Sequence, residues 1–440
     1  MQFMESLLDL AATSQDAFSA RAVTLARYSL LDWMTCGIAG RHEPLADKLR
    51  TMAANEGGTP VASMMGGSKA PARMAALVNG ATSHALDYDD THFAHVGHLS
   101  VAIYPAALAA AEEVNASAGE TIAAFLVGSE VAIRVGQVLG RAHYDLGFHQ
   151  TATSGSFGAT VAAGRIYGLN RDQMRVALSL CGTRASGLKS QFGTMGKPYN
   201  AGIAAANGVE CAALARLGFT SADDGIFGPQ GFVETHTPEV AEMARPSRFL
   251  FEDNKYKLHA CCHGTHAMIE ALLGCDVALD QVEAITLRTN HRWLKVCDIK
   301  RPRTGLEVKF SYAWLAGMTL RGDATGDDRV YRDALAGDAD LVDFARRVEV
   351  VGDEAVTDLQ AVGVVRLNDG LEIALWHDLA EPMEEGALAQ RLRQKSAAML
   401  GDDGTTLWEM LDGLDAVPAT VIGRQLSSDK GGDPGAEPRA

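Results

Sequence analysis

Apolar residues recur at helical spacing through the first half of the chain. From Phe18 to about Gly40 they follow one repeating face, and the pattern stops at a glycine, as helices commonly do. The strict alternation of apolar and polar residues that marks a strand is almost absent before residue 240. This half is therefore predicted to be all-α. Further predicted helices lie at 44–55, 70–86, 101–116, 120–141, 155–168, 171–180 and 198–217.

Small residues interrupt these predicted helices at regular places. Gly155, Gly158, Gly164, Gly202 and Gly208 all lie within them. Residues without a large side chain let helix backbones approach closely, so we interpret the first half as a helical bundle.

The pattern changes after a breaker-rich loop at 221–232. Alternation of β-branched residues now predicts four strands, with helical stretches around 266–273 and 310–321 between them. Asn368-Asp369-Gly370 joins the last two strands and is a strong signal for a short hairpin. The predicted strands are 283–289, 346–352, 361–367 and 371–376.

Together these patterns predict a mainly α protein, with a large all-α helical domain and a smaller α+β lid domain. Helical patterning returns near the end of the chain and is expected to pack back on the first domain. The tail is rich in Gly, Pro and charge, which predicts disorder. The predicted bounds are 1–245 for the all-α domain, 387–425 for the returning helices, 250–385 for the lid and 427–440 for the tail.

Charge and composition narrow the possible partners. The 440 residues carry a formal net charge of −16, and no Lys/Arg-rich patch is visible, so neither nucleic acid nor an anionic membrane is an expected partner. No apolar run reaches the roughly 20 residues of a membrane span, and the N-terminus lacks the basic start of a signal peptide. We therefore expect a cytoplasmic protein. An anionic ligand would need a local basic cluster.

One stretch, His84 to Ser100, holds three aspartates and four histidines. Such density predicts a site for proton transfer or for metal binding. If the stretch is helical, Asp87 and Thr91 share a face with His84, whereas Asp89 points elsewhere and is interpreted as a solvated helix-end charge. His92 and His95 are interpreted as pocket lining or surface residues.

Three basic side chains are predicted to stand beside helix N-termini. His98 precedes a helix for which Ser100 is a plausible N-cap, and His149 precedes the small-residue helix near Gly155. Lys197 stands before a proline that suits the first helical position. If these helix ends converge, their N–H groups and the three side chains form a carboxylate-binding pocket.

A second dense segment, 255–266, contains two lysines and three histidines beside the pair Cys261-Cys262. Adjacent cysteines rarely both ligate one ion, and the seven cysteines of the chain include no C-x-x-C pair. We therefore predict structural or carboxylate-binding roles for this segment and no metal site.

Five motifs together resemble the MmgE/PrpD family. They are His-Ala-Leu-Asp-Tyr-Asp-Asp-Thr at 84–91, Gly-Phe-His-Gln-Thr at 147–151, Gly-Thr-Met-Gly-Lys-Pro at 193–198, Cys-Cys-His-Gly-Thr-His at 261–266 and Lys-Phe-Ser at 309–311. The resemblance runs from about residue 15 to about residue 400, with the motifs in the family's order.

The resemblance implies a large all-α domain with a smaller α+β lid, usually in a homodimer that works without metal or organic cofactor. Family members act on small carboxylates as 2-methylcitrate dehydratases, cis-aconitate decarboxylases or iminodisuccinate epimerases. The site positions carried over from the family are Asp87, Thr91, His98, His149, Lys197 and Lys257.

This chain departs from the usual family pattern at several of these motifs. Leu99 and Gln150 each follow a motif histidine where proline is usual, and Asn200 replaces a frequent histidine. Leu258-His259-Ala260 replaces a Pro-Tyr-Pro run, and Trp314 stands where decarboxylase-like members carry a tyrosine. These departures disfavour cis-aconitate decarboxylation itself.

The reactions of the family share one step, in which negative charge develops next to a carboxylate. We therefore predict a cofactor-independent lyase of the hydro-lyase type, similar to 2-methylcitrate dehydratase, acting on a small di- or tricarboxylate. The alternatives are an epimerase, isomerase or decarboxylase of a related carboxylate, a metal-dependent hydrolase or lyase that uses the Asp/His cluster, and a non-catalytic carboxylate-binding protein.

Each candidate residue has a predicted role in this chemistry. An imidazole titrates near neutral pH, so His98 and His149 are the acid and base candidates. Asp87 would orient one of them, and Tyr144 is a weaker acid candidate. The residues predicted to bind or stabilise substrate carboxylates are Lys197, Lys257, Thr91 and His266.

Overall fold

The computed structural model describes residues 2–243 and 248–427, and the chain divides into two compact units. The first unit comprises residues 1–256 and 402–440, and the second comprises residues 257–401. The chain thus returns to the first unit at residue 402, later than the predicted 387. The helix Glu385–Leu400 stays with the second unit, where Arg391 forms a two-pronged ion pair with Glu270. Within the predicted disordered tail, Ser427 ends a helix and 428–440 lie outside the described residues.

Helices build the described part of the first unit, apart from a two-stranded ribbon of β1 Ala62–Ser63 and β2 Lys69–Ala70. The predicted all-α domain is therefore correct except for this ribbon. Numbered in chain order, the helices are α1 Gln2–Ala11, α2 Ala20–Gly40, α3 Pro44–Glu56, α4 Ala72–Ser83, α5 Ser100–Val114, α6 Ala118–Asp145, α7 Thr153–Ile166, α8 Arg171–Cys181, α9 Gly196–Arg216 and α10 Phe232–His236, with α17 Asp402–Glu409 and α18 Ala419–Ser427 after the second unit.

Glycines set how closely the central helices pack. A Cβ added to Gly202 of α9 would lie 2.4 Å from the Leu77 carbonyl oxygen of α4, and one added to Gly158 of α7 would lie 2.5 Å from the Gly128 carbonyl oxygen of α6. A Cβ on Gly208 would similarly meet the Ala159 backbone at 2.5 Å. The expected close approach of helices is therefore present, and it brings the ends of α4, α7 and α9 into one region.

Helix α6 is long and apolar enough, by length and composition, to cross a membrane. However, 89% of its most apolar stretch is buried inside the protein, as in the core helix of a bundle. Val127, Val131 and Val135 pack there against Phe157 and other residues of a large hydrophobic cluster. Because α6 lies at the centre of this cluster, the helices around it are held in fixed positions.

The second unit combines a four-stranded sheet with short helices, so the predicted mainly α fold with a smaller α+β domain is confirmed. Its strands follow the spatial order β4-β3-β5-β6, with β3–β4 parallel and the other pairs antiparallel. The hairpin at Asn368-Asp369-Gly370 forms as predicted, with Gly370 at φ +89°. The strands are β3 Val282–Thr289, β4 Val348–Gly352, β5 Gln360–Leu367 and β6 Glu372–Asp378, and the helices are α11 His266–Leu273, α12 His291–Leu294, α13 Gly305–Val308, α14 Tyr312–Arg321, α15 Ala339–Phe344 and α16 Glu385–Leu400.

Replacing Gly202 by alanine tests the close packing of α4 and α9. The added methyl group would overlap the Leu77 carbonyl, so we expect the free energy of unfolding to fall by about 1–3 kcal/mol. Urea denaturation followed by circular dichroism measures the change. Gly337→Ala is the control, because a Cβ there meets no atom within 4 Å. Equal stability of the two variants would contradict the packing argument.

Candidate active site

The segment between α4 and α5 is a loop, although a helix was predicted to continue through it. Helix α4 ends at Ser83, and Asp87 adopts a left-handed backbone conformation with φ +51°. Aspartate tolerates this conformation better than most residues, because its short side chain can bond locally. The helical prediction for 84–91 is therefore wrong, and with it the predicted orientation of Asp89.

Asp89 lies at the centre of this loop and is fully buried. Its two carboxylate oxygens lie 2.8 Å from His84 Nδ1 and 2.7 Å from His98 Nδ1. The interpretation of Asp89 as a solvated helix-end charge is therefore wrong, since the loop turns it inward between two imidazoles. An ionised carboxylate only accepts hydrogen bonds, so His84 Nδ1 is a donor to Asp89. The other carboxylate oxygen lies within ion-pair distance of His98 Nδ1 and favours a proton on that nitrogen.

The charge state of Asp89 follows from these two contacts. Burial acts to raise its pKa, but the charges and hydrogen bonds of His84 and His98 outweigh burial and hold the pKa well below its usual value. Asp89 is therefore ionised near neutral pH. Because it fixes the proton of His98 on Nδ1, it leaves Nε2 of that ring as the position that can gain or lose a proton.

His98 Nε2 faces a second, more accessible pair of charges. It lies 3.6 Å from an oxygen of Asp87, whose other oxygen lies 2.8 Å from Lys197 Nζ. The Asp87 side chain is 36% exposed and that of Lys197 is 18% exposed, whereas those of His84 and Asp89 are inaccessible. A ligand can therefore reach Asp87, Lys197 and the Nε2 edge of His98, but not the inner carboxylate.

His149 is buried close to this group. Its ring centroid lies 6.1 Å from that of His84, and Phe192 packs edge-on against its ring. Asn200 donates from Nδ2 to His149 Nδ1 at 3.2 Å, so the neutral ring carries its proton on Nε2. Burial, followed by the charges of His84 and Lys197, lowers the pKa of His149 well below its usual value.

The structure therefore brings together His98, His149, Lys197 and Asp87, four of the residues that the sequence singled out. His98 precedes α5 by two residues, His149 precedes α7 by four, and Lys197 is the second residue of α9. Their roles in catalysis and binding remain predictions.

Asp90 anchors the loop to the rest of the first unit. It accepts hydrogen bonds from Ser100 N and Oγ at 3.1 and 2.6 Å and from Asn254 Nδ2 at 2.7 Å. Asp90, rather than the predicted Ser100, therefore supplies the acceptor at the start of α5. Burial raises the pKa of Asp90 to about 6, and the charge of Asp89 adds to that rise.

His92 and His95 lie in the same loop, and both side chains are buried and hold the loop through polar contacts. His92 Nε2 lies 2.8 Å from the Leu250 carbonyl, and His95 Nδ1 lies 3.0 Å from Ser154 Oγ. Burial lowers their pKa values to about 4 and about 3, so both rings are neutral near pH 7. Of the two interpretations, a surface position is excluded.

Two other candidates, Thr91 and Tyr144, each contact a lysine residue. Thr91 pairs through its backbone with Lys255, with N–H···O distances of 2.7 and 2.8 Å. Tyr144 lies in the last turn of α6, where the Lys189 ammonium stands 3.6 Å from its ring centroid and donates to its carbonyl. Their roles as hydrogen-bonding partner and acid remain predictions.

In the second unit, the candidates Lys257 and His266 are both buried. Burial, then the charges of His263, His259 and Lys257, lower the pKa of His266 well below its usual value. His259 lies 2.8 Å from both Thr325 Oγ1 and Glu270 Oε1, so it ties this segment to α11.

A metal site was weighed as an alternative use of the Asp/His cluster. One ligand atom from each of His84, Asp87, Asp89 and His98 lies within 4.8 Å of the others. The contacts at Asp89 do not fit a zinc ion as they stand, because two ligands of one tetrahedral zinc ion lie roughly 3.4 Å apart, farther than the 2.7 and 2.8 Å distances here.

Sequence reasoning missed three members of this group: His84, Asp89 and Asn200. His84 and Asp89 lay within the dense stretch, and the signal that could have found them was that density itself, without an assumed helix. Asn200 was noticed only as a departure from the family pattern, although an amide two residues beyond Lys197-Pro198 lies on the same end of α9.

The pH dependence of stability tests the burial of Asp90. Its folded pKa of about 6 exceeds the unfolded value of about 3.9, so the unfolded chain loses its proton first as pH rises. Wild-type stability should therefore fall between pH 4 and 6 relative to Asp90→Asn, by up to roughly 3 kcal/mol. Urea denaturation of both proteins across this range measures the difference. Asp16→Asn, at an exposed position, is the control, and parallel curves for Asp90→Asn and wild type would refute the assignment.

Comparison with known proteins gives the relatives of this chain. A cis-aconitate decarboxylase-like protein of Aspergillus oryzae is 30% identical over 270 residues, which cover 56% of each chain. Cis-aconitate decarboxylase of Aspergillus terreus is 32% identical over 56% of this chain and 54% of the relative. Cis-aconitate decarboxylase of Homo sapiens is 34% identical over 58% and 56%, respectively. The aligned regions thus span about half the length of these relatives.

Two family models match the chain more fully. The MmgE/PrpD N-terminal domain matches residues 10–242, and the MmgE/PrpD C-terminal domain matches residues 259–398. The first match contains His84, Asp89, His98, His149 and Lys197, and the second contains His266. Because the two matches cover most of the sequence in the expected order, this chain belongs to the MmgE/PrpD family.

Proposed function

We propose that this protein is a lyase that acts on a small di- or tricarboxylate by proton transfer at a carbon next to a carboxylate. One observation carries the proposal: Asp89, which is buried, lies against Nδ1 of His98, and Nε2 of the same imidazole faces the accessible Asp87–Lys197 ion pair. The family relatives, which are named as cis-aconitate decarboxylases, support a carboxylate substrate.

Lys197 is the proposed partner of a substrate carboxylate. It is accessible, and it already holds the Asp87 carboxylate at 2.8 Å, which is the chemistry a substrate would offer. It also begins α9, where backbone N–H groups and the helix dipole favour an anion. These features give a local positive site in a chain of net charge −16.

His98 is the proposed general base. Asp89 holds its Nδ1 proton, so Nε2 can accept a proton, and the ionised Asp89 stabilises the imidazolium that forms. Asp87 beside Nε2 adds to this stabilisation and links the base to Lys197.

His149 is the proposed neutral donor. Its lowered pKa keeps it uncharged near pH 7, and the hydrogen bond from Asn200 leaves its Nε2–H free to donate. A neutral imidazole in this state stabilises developing negative charge by donating a hydrogen bond, as an oxyanion-hole donor does. Asn200 thus gives a physical reason for the departure from a histidine at that position.

The proposal leaves two reactions to compare, which differ in the substrate bond that breaks. Decarboxylation and dehydration both build charge beside a carboxylate, and the same base, donor and cation serve each. The names of the relatives favour decarboxylation of an unsaturated tricarboxylate, whereas the departures at Leu99, Gln150 and Trp314 disfavour cis-aconitate decarboxylation itself. We propose no metal or organic cofactor, since the 2.7 and 2.8 Å contacts at Asp89 are shorter than the spacing of two ligands on one tetrahedral zinc ion.

Turnover of a panel of di- and tricarboxylates, followed by NMR in D₂O, tests the proposal. Products report the lyase reaction, and deuterium incorporation at a carbon next to a carboxylate reports proton abstraction even without a leaving group. We expect His98→Gln to lower kcat by about 100-fold or more, the usual contribution of an acid–base residue. Lys197→Met should raise KM by about 10-fold to 100-fold, because a charge-assisted hydrogen bond is lost.

Matched controls come from exposed residues of the same unit. His42→Gln and Lys48→Met remove the same side-chain types away from the site and should leave both constants unchanged. A wild-type kcat in His98→Gln would contradict the proposal that His98 is the general base. Ligand-induced thermal stabilisation with neither turnover nor deuterium exchange would instead identify a non-catalytic carboxylate-binding protein, and activity lost on chelation and restored by a divalent ion would favour the metal alternative.

A further inference from the structure

We propose that His84 is a positioning residue that sets, through Asp89, how strongly His98 holds a proton. The inference concerns a physical coupling between three buried side chains. Only its consequence for turnover rests on the proposed function.

The contacts of His84 indicate a role directed at Asp89. Its side chain is fully buried, and its Nδ1 donates to Asp89 at 2.8 Å. Among the described residues its Nε2 is buried without a hydrogen-bond partner. His84 therefore cannot be reached by a ligand through Asp87 or Lys197, and its one polar contact is to the carboxylate that also orients His98.

One carboxylate divided between two donors is a weaker acceptor for each than a carboxylate devoted to one. His84 holds one oxygen of Asp89 at 2.8 Å, and His98 holds the other at 2.7 Å. The first hydrogen bond withdraws part of the negative charge that would otherwise stabilise a proton on His98. Without the His84 donor, Asp89 would face His98 alone, as in a simple carboxylate–imidazole dyad, and His98 would hold its proton more strongly.

Other charged groups lie near His84, Asp89 and His98. They must stay unchanged if a pH titration is to report the effect of His84 alone. Asp87 lies 3.6 Å from His98 Nε2 and is paired with Lys197. His149 stacks 6.1 Å from the His84 ring, and Asp90 is the buried neighbour of Asp89 in the chain. Substitutions at His84 leave all of these in place, so a changed titration of His98 reports the effect of His84.

Two variants separate the hydrogen bond from the bulk of the side chain. His84→Asn places an amide N–H near the former Nδ1, which keeps the donor to Asp89 but cannot titrate. His84→Leu is similar in size and donates nothing. We expect the pH midpoint of His98, measured by NMR of histidine-labelled protein, to rise by about one pH unit in His84→Leu and to stay near the wild-type value in His84→Asn. His98→Gln identifies the His98 signal.

A double-mutant cycle shows whether Asp89 carries the coupling. In an Asp89→Asn background the His98 midpoint should fall, because the negative charge is lost, and His84→Leu should then have no further effect. If His84→Leu proves too unstable to study, His84→Met, which also lacks a side-chain donor, provides the same comparison, with a shift expected only where Asp89 keeps its charge.

Three outcomes would overturn the inference: an unchanged His98 midpoint in His84→Leu, an equal shift in His84→Asn and His84→Leu, or an equal shift with and without the Asp89 charge. The titration needs no substrate, so it stands whether or not the protein turns over any carboxylate. Where turnover is found, the acidic limb of the kcat profile should move upward with the His98 midpoint in His84→Leu. A fall in kcat with no movement of that limb would point to a structural role and count against the inference.

Discussion

The burial of one charge, on Asp89, constrains the rest of the site. An isolated carboxylate is costly to remove from water, and the cost is offset only where donors meet both of its oxygens. His84 donates to one oxygen of Asp89, and His98 Nδ1 lies 2.7 Å from the other, so the two ends of one loop meet at this carboxylate. The loop must therefore close on itself, which fixes the orientation of both rings and the tautomer of each. The left-handed Asp87 and the buried Asp90 are local consequences of that closure.

The scaffold makes such a closure possible because its helices pack almost backbone to backbone. Gly202 and Gly158 remove the side chains that would hold α9 and α7 away from their neighbours, so their N-terminal ends come near the end of α4. Lys197 is the second residue of α9, and His149 lies four residues before α7. The helix ends therefore position both side chains, without a long loop. A site that depends on sub-ångström hydrogen-bond geometry is better held by rigid helices than by loops.

Sequence patterns predicted the parts of the structure that depend on local periodicity. The helices of the bundle and the hairpin at Asn368-Asp369-Gly370 follow from apolar spacing and turn chemistry, which are local properties. The role of Asp89 could not be found in this way, because it depends on a carboxylate and two imidazoles five and nine residues apart meeting in a non-helical loop. The placement of Glu385–Leu400 failed for a related reason, since it depends on Arg391 meeting Glu270, 121 residues away.

Asp89 is buried and Asp87 is accessible, and this difference resolves an apparent conflict in the electrostatics of the candidate site. A strongly acidic protein with two aspartates at its candidate site looks unsuited to an anionic substrate. Asp89, however, is buried between two imidazoles, and at physiological ionic strength distant surface charges are screened beyond about 8 Å. Asp87 remains, and it offers Lys197 the same group as a substrate would. Under the proposed function, Asp87 would therefore hold the ammonium until an entering carboxylate exchanges with it.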